Sequence, residues 1–182
     1  MTKIPIKDIE PFKNHPFKVV EDDSLKELME SISNTGLINP VIVRKNKNKY
    51  EMISGHRRLK AMELLGETEI EAQIKNLSDD EATIFMVDSN MYREKLLPSE
   101  KAFSYKMKME AMKHQGKTSC QVGTKLRTDE QIANDANDSA RQVQRYIRLT
   151  YLNKQLLDMV DEGRIAFTPA VELSYLNEIE QQ

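Results

Sequence analysis

The sequence predicts a mixed α+β module over residues 1–94, followed by an all-α helix-turn-helix module over residues 95–182. Three observations carry that expectation. Strand-type runs rich in Val and Ile end at Ile74. A glycine turn at Gly55 hands one of those runs to a helix-period stretch. From Pro98 onward the apolar residues recur at helical spacing, and two short helix patterns at about 128–149 meet at the turn dipeptide Asn137-Asp138.

Taken in order, Ile4-Pro-Ile6 is a short strand candidate, followed by a loop at 11–16. Ser24 with Glu27 reads as a capping box for a helix whose stripe is Leu25, Leu28, Met29 and Ile32, stopped by Gly36. Residues 37–43 and 50–53 form two strands joined by the polar turn 45–49. Leu59, Met62, Leu64 and Leu65 mark a helix that ends at Gly66, and 70–74 alternates as a half-buried strand. Ser78 with Glu81 opens a further helix through Ile84, Phe85 and Val87. Pro98 suits the first turn of a long helix to about His114, with Ala102, Tyr105, Met109 and Met112 on one side. Residues 115–124 are polar and aperiodic and read as the main linker. Thr128 with Gln131 and Ser139 with Gln142 then open the last pair of helices, the second carrying Val143, Tyr146, Ile147 and Leu149 inward.

Composition narrows the class. One cysteine, Cys120, excludes an internal disulfide framework and fits a reducing cytoplasm. No apolar run is long enough to span a membrane, and Met1-Thr-Lys-Ile-Pro lacks a signal-peptide core. The net charge of −2 hides strong segregation. Residues 39–62 carry seven Lys or Arg against Glu51, residues 63–94 nine acids against Lys75 and Arg93, and residues 95–127 eight bases against Glu100 and Glu110. Such blocks suggest separate surfaces with separate partners.

Two places carry chemistry. At Gly55-His-Arg-Arg-Leu-Lys-Ala61, a glycine turn, a helix start and the forked donors of Arg57 and Arg58 converge, an arrangement suited to phosphate oxygens. A purely structural helix start would more often carry Asp or Glu there. In the second helix of the helix-turn-helix pattern, Arg141, Gln142, Gln144, Arg145 and Arg148 are residue types that reach base edges and phosphates, with Lys125 and Arg127 near phosphates. Among the rest, Glu51 reads as a solvent-facing strand residue, Asp138 as solvent-exposed, and His15 and His114 as lone surface histidines.

The order of Thr35-Gly-Leu-Ile-Asn-Pro-Val-Ile-Val-Arg44, Gly55-His-Arg-Arg-Leu-Lys-Ala61, Ser89-Asn-Met-Tyr-Arg-Glu-Lys-Leu-Leu-Pro-Ser-Glu-Lys-Ala102 and a helix-turn-helix resembles the ParB family of partition proteins. The resemblance implies a ParB/sulfiredoxin-like N-terminal fold that binds CTP and a helical module that binds a palindromic centromere-like DNA site. It implies that Thr35, Gly36, Leu37, Ile38 and Pro40 line the cytosine pocket. Gly55, His56, Arg57 and Arg58 would sit at the triphosphate, with Asn90 contributing to a magnesium site and Arg93 approaching phosphate. Ser139, which opens the second helix of the helix-turn-helix pattern, is counted with the DNA-binding residues. Further implications are a homodimer, a partition ATPase as partner, a cytoplasmic and nucleoid-associated location, and a C-terminal dimerisation domain absent after Gln182. Where the family pattern has Glu, this chain has His56 and Ser89, so hydrolysis is expected to be weak at most. The alternatives are a ParB-like transcriptional or nucleoid-occlusion regulator without nucleotide hydrolysis, and a phosphotransferase on the sulfiredoxin-like fold using Glu51.

Overall fold

A computed structural model describes residues 1–91, 93, 96–118 and 127–182. The chain runs β1 (Thr2–Pro5), β2 (Ile9–Glu10), α1 (Asp23–Thr35), β3 (Val41–Asn46), β4 (Lys49–Ser54), α2 (His56–Leu64), β5 (Glu69–Lys75), α3 (Asp79–Met91), α4 (Pro98–Thr118), α5 (Thr128–Ala136), α6 (Ala140–Leu149), α7 (Lys154–Asp161) and α8 (Phe167–Leu173). It divides into two compact units, Met1–Met86 and Val87–Gln182, with the division inside α3. The mixed architecture of the first unit and the helical second unit match the fold class the sequence predicts.

In the first unit the sheet order is β1-β5-β3-β4-β2. β3 pairs antiparallel with β4 and parallel with β5; β1 runs antiparallel to β5, and β2 parallel to β4. The period-2 alternation of these strands turns Val41, Val43, Met52, Ile70 and Ala72 into one buried layer with Ile4 and Ile9, against which Leu59 and Met62 of α2 pack. Leu25 and Ile32 of α1 meet Ala61 of α2 in an adjoining cluster. Removing side chains such as Leu25 from water contributes about 1.5–3 kcal/mol each.

Several local details differ from the sequence reading. The cap of α1 is Asp22, not Ser24: Leu25 N donates to Asp22 Oδ1 at 3.0 Å, and the Ser24 hydroxyl itself donates to that carboxylate. The helix starts early enough to give Asp22 the extended backbone that a cap needs. α5 is likewise capped one residue ahead of expectation, at Arg127, whose amide donates to Glu130 Oε2 at 2.9 Å. α4 runs past His114 to Thr118 through Gly116. The stops at Gly36 and Gly66 and the Ser78–Glu81 capping box form as expected.

In the second unit α4 is the spine. Tyr105 and Met109 pack with Ile132, Ala133 and Val143 of the α5–α6 pair. Ala102 packs with Leu149, Leu152, Leu157, Val160, Ala170 and Val171. The expected helix-turn-helix is present: Asn137 takes the left-handed conformation at φ 53°, Asp138 N closes the end of α5 on Ala133 O at 2.9 Å, and Ser139 Oγ accepts from Gln142 N at 3.1 Å to start α6.

Candidate functional site

The basic corner is built on Gly55. β4 ends at Ser54, Gly55 takes φ 109°, and α2 begins at His56 with no side-chain cap and no acid in its first turn. A Cβ at residue 55 would lie 2.8 Å from Val41 Cγ1, so the close approach of turn to strand requires glycine. The result is a helix start whose dipole favours an anion.

The two arginines diverge from there. Arg58 turns inward and donates to the carbonyls of Asn39 (2.6 Å) and Pro40 (2.7 Å). Burial pushes its guanidinium below the usual arginine value. Its work is therefore to fasten the 36–40 loop to the corner. Arg57 is one-third exposed and donates to Ser24 Oγ (2.5 Å) and Asp22 Oδ1 (3.3 Å). A hydrogen bond from Ser24, then the Leu25 amide and Arg57, hold the Asp22 carboxyl below the usual carboxylate range. Lys60 pairs with Glu21 at 3.1 Å.

The structure thus brings the loop and the corner together. Thr35 donates its hydroxyl to Ser31 O at 2.8 Å, Gly36 has φ 76°, Leu37 packs into both apolar clusters, and Ile38 is 77% exposed. His56 stacks on His15 with ring centroids 3.7 Å apart, and His15 Nδ1 lies 2.8 Å from Phe17 O. His15, expected to stand by itself, is a neighbour of the corner; no spacing rule links two residues so far apart in the chain.

Asn90 and Arg93 belong to the second unit. Asn90 is buried, its Nδ2 donating to Ser89 Oγ at 3.2 Å, and Arg93 N donates to Asn90 O at 3.1 Å. Among the described residues no group of three His, Cys, Asp or Glu converges as a metal-ligand set.

Glu51 corrects the sequence reading. It is buried, directly opposite Arg44 across the β3–β4 ladder, and accepts from Arg44 Nε at 2.6 Å. Arg44 also reaches Asp79 at 2.7 Å and Leu77 O at 3.3 Å. Cross-strand register puts both side chains on one face, and Arg44 ties them to the start of α3. Part of the basic excess counted along the hairpin is therefore neutralised internally.

On α6, Arg141 and Gln144 face outward; Gln144 Nε2 donates to Asp129 Oδ2 at 3.0 Å, beside Arg127 at 2.8 Å. Gln142 accepts from Arg145 Nη1 at 3.4 Å. Arg145 reaches back to Thr168 Oγ1 at 2.9 Å and over the Phe167 ring. Arg148 donates to Ser174 O at 2.6 Å and lies against the rings of Tyr151 and Tyr175. Lys125 lies outside the described residues. Asp138, expected to be solvent-exposed, instead accepts from Tyr105 Oη and from Lys101 Nζ (2.7 Å).

The ParB N-terminal domain family matches residues 1–91. The chain belongs to that family. A probable chromosome-partitioning protein ParB of Neisseria meningitidis is 32% identical over 182 residues, which is 100% of this chain and 59% of the relative. A nucleoid occlusion protein of Lysinibacillus sphaericus is 38% identical over 109 residues, covering 59% of this chain and 37% of its own length. The chain spans less than two thirds of these ParB relatives. A crystal structure of the C-terminally truncated chromosome-partitioning protein ParB from Caulobacter crescentus, complexed to the centromeric parS site, superposes with a TM-score of 0.61 at 22% identity. It covers 98% of this chain and 87% of that one. The ParB fold therefore extends over both units. No helix among the described residues is long and apolar enough to cross a membrane.

Proposed function

We propose that this chain acts as a nucleotide-gated, DNA-reading ParB partition protein in plasmid or chromosome segregation. The observation that carries the reading is α6: a Ser139-capped helix after a left-handed Asn137 turn, presenting Arg141 and Gln144 outward. Side chains of that kind read base edges in a major groove, while Arg127, Lys125 and other cations supply sequence-independent attraction to phosphates. A palindromic duplex read by a homodimer follows from two such helices related by two-fold symmetry. The Neisseria meningitidis relative supports the partition role; a partition ATPase as partner and a cytoplasmic, nucleoid-associated location belong to the same proposal.

CTP fits the corner at Gly55. The uncapped start of α2, the exposed edge of Arg57 and the 36–40 loop braced by Arg58 form a seat for a nucleotide. CTP bound there would bring a polyanion that carries magnesium on its own phosphate oxygens. Gating requires CTP to favour a closed pairing of two chains over an open one, since equal affinity for both shifts nothing. Hydrolysis is weak at most, because the imidazole of His56 stands where the family carries a carboxylate. A phosphotransferase reading is disfavoured because Glu51 is committed to Arg44.

The likeness to a nucleoid occlusion protein supports a second reading, a DNA-bound regulator that does not partition replicons. One experiment addresses both. Duplexes selected by the protein from a random pool are embedded in longer DNA, and occupancy beyond the site is measured with and without CTP. CTP-dependent spreading supports gating and partition; selective binding confined to the site supports the regulator; no selection removes DNA reading altogether.

A further inference from the structure

The turn that aims α6 is held from behind by α4. Tyr105 is fully buried, and its hydroxyl donates to Asp138, the residue just before the cap of α6. Lys101, one helical turn earlier on α4, donates to the same carboxylate oxygen at 2.7 Å. The Lys101 ammonium also sits 4.7 Å from the centroid of the Tyr146 ring on α6 and 5.6 Å from that of Tyr105, while the two tyrosine rings meet edge-on at 5.9 Å. Burial raises the Asp138 carboxyl, but the bonds from Lys101 and Tyr105 outweigh it and hold the group ionised. Charge-assisted bonds of this kind are short and directional.

We propose that Asp138 is a positioning residue for DNA selectivity, through which Lys101 and Tyr105 of α4 fix the angle at which α6 leaves the turn. This rests on α6 being the DNA-reading helix. None of the three groups touches a base in this scheme. Base contacts discriminate only when the side chains arrive within a narrow geometry, whereas attraction to phosphates tolerates a tilt.

The test compares wild type with Tyr105→Phe, which keeps the ring and deletes the hydroxyl, and with Asp138→Asn, which keeps the shape and deletes the charge. Affinity is measured for a duplex selected by the wild-type chain and for a scrambled duplex of equal length, across a salt series. Both affinities scale with the folded fraction, so their ratio separates aim from stability. The expected result is a ratio lowered about tenfold in each variant, with the scrambled-duplex affinity and its salt slope unchanged. An unchanged ratio, or a parallel loss for both duplexes, overturns the positioning role while leaving the DNA reading intact. A wild-type chain that enriches no duplex overturns the DNA reading, and this inference with it.

Discussion

Arg57 reaches across from the first turn of α2 to Asp22, the cap of α1, at 3.3 Å. The carboxylate that starts one helix thus occupies the arginine that a phosphate at the next helix start would use. With CTP seated as proposed, nucleotide and Asp22 would compete for one guanidinium, and competition between exposed groups is screened and modest.

Asp22→Asn keeps a good helix cap and deletes the competing charge. It is expected to tighten CTP binding about threefold, whereas Arg57→Ala weakens it about tenfold. Calorimetry at fixed ionic strength and magnesium reads both. Equal affinities in all three proteins would mean that Arg57 does not face the nucleotide.

Gly55→Ala should destabilise the first unit by about 2 kcal/mol or more, since φ 109° and Val41 Cγ1 at 2.8 Å both oppose a side chain. Urea denaturation followed by far-UV circular dichroism measures this. A midpoint within error of wild type would show that the turn relaxes freely.

Glu51 and Arg44 are a buried pair, with side chains 8% and 14% exposed. Truncating Glu51 leaves Arg44 only the exposed Asp79 carboxylate and the Leu77 carbonyl, so Glu51→Ala is expected to cost about 1–3 kcal/mol, and Arg44→Met with Glu51→Leu to recover most of it. Double-mutant denaturation curves decide. A mild single-variant effect would mean that water enters the site and solvates Arg44.

The helices, strands and glycine stops were legible because each is written in local periodicity and turn chemistry: alternation at 70–74, Gly36 and Gly66 as stops, Ser78 with Glu81 as a cap. The basic corner was legible for the same reason, since Gly55, Arg57 and Arg58 are consecutive or nearly so. What local pattern does not carry is pairing through space. Glu51 opposes Arg44 only once strand register is set, His15 meets His56 only once the loop folds over α2, and Arg148 meets Ser174 only once the end of α8 comes into reach. Asp138 looked anomalous in the turn because its partners, Lys101 and Tyr105, come from a distant helix.

Acid should loosen the second unit. Asp138 and Asp129 are pushed up by burial, but Lys101 and Tyr105 in one case, and Gln144 and Arg127 in the other, outweigh it, so both fold with lowered values. A carboxylate lowered on folding contributes stability above its unfolded value near about 4, and that contribution is lost as pH falls below it. Tyr105 acts in the opposite sense: burial, then Asp138, raises its hydroxyl, so its contribution is lost as pH rises above about 10. Thermal melts from acid to alkaline pH should show both limbs. Asp138→Asn flattens the acid limb and Tyr105→Phe the alkaline one; unaltered limbs would dissociate these groups from stability.

Arg141 and Arg148 lie on the same helix and should fail in different ways. Arg141 is exposed, so Arg141→Ala is expected to weaken binding to the selected duplex by about 1–3 kcal/mol while leaving the melting temperature unchanged. Arg148 instead holds the chain after α8 through Ser174 and lies against Tyr151 and Tyr175. Its removal leaves the Ser174 carbonyl without its donor and strips two aromatic faces of a cation, so Arg148→Ala should lower the melting temperature. The selectivity of the protein that remains folded should be preserved. Binding titrations paired with melts for both variants separate the two roles. A selectivity change in Arg148→Ala with no loss of stability would return that arginine to the DNA-contacting set.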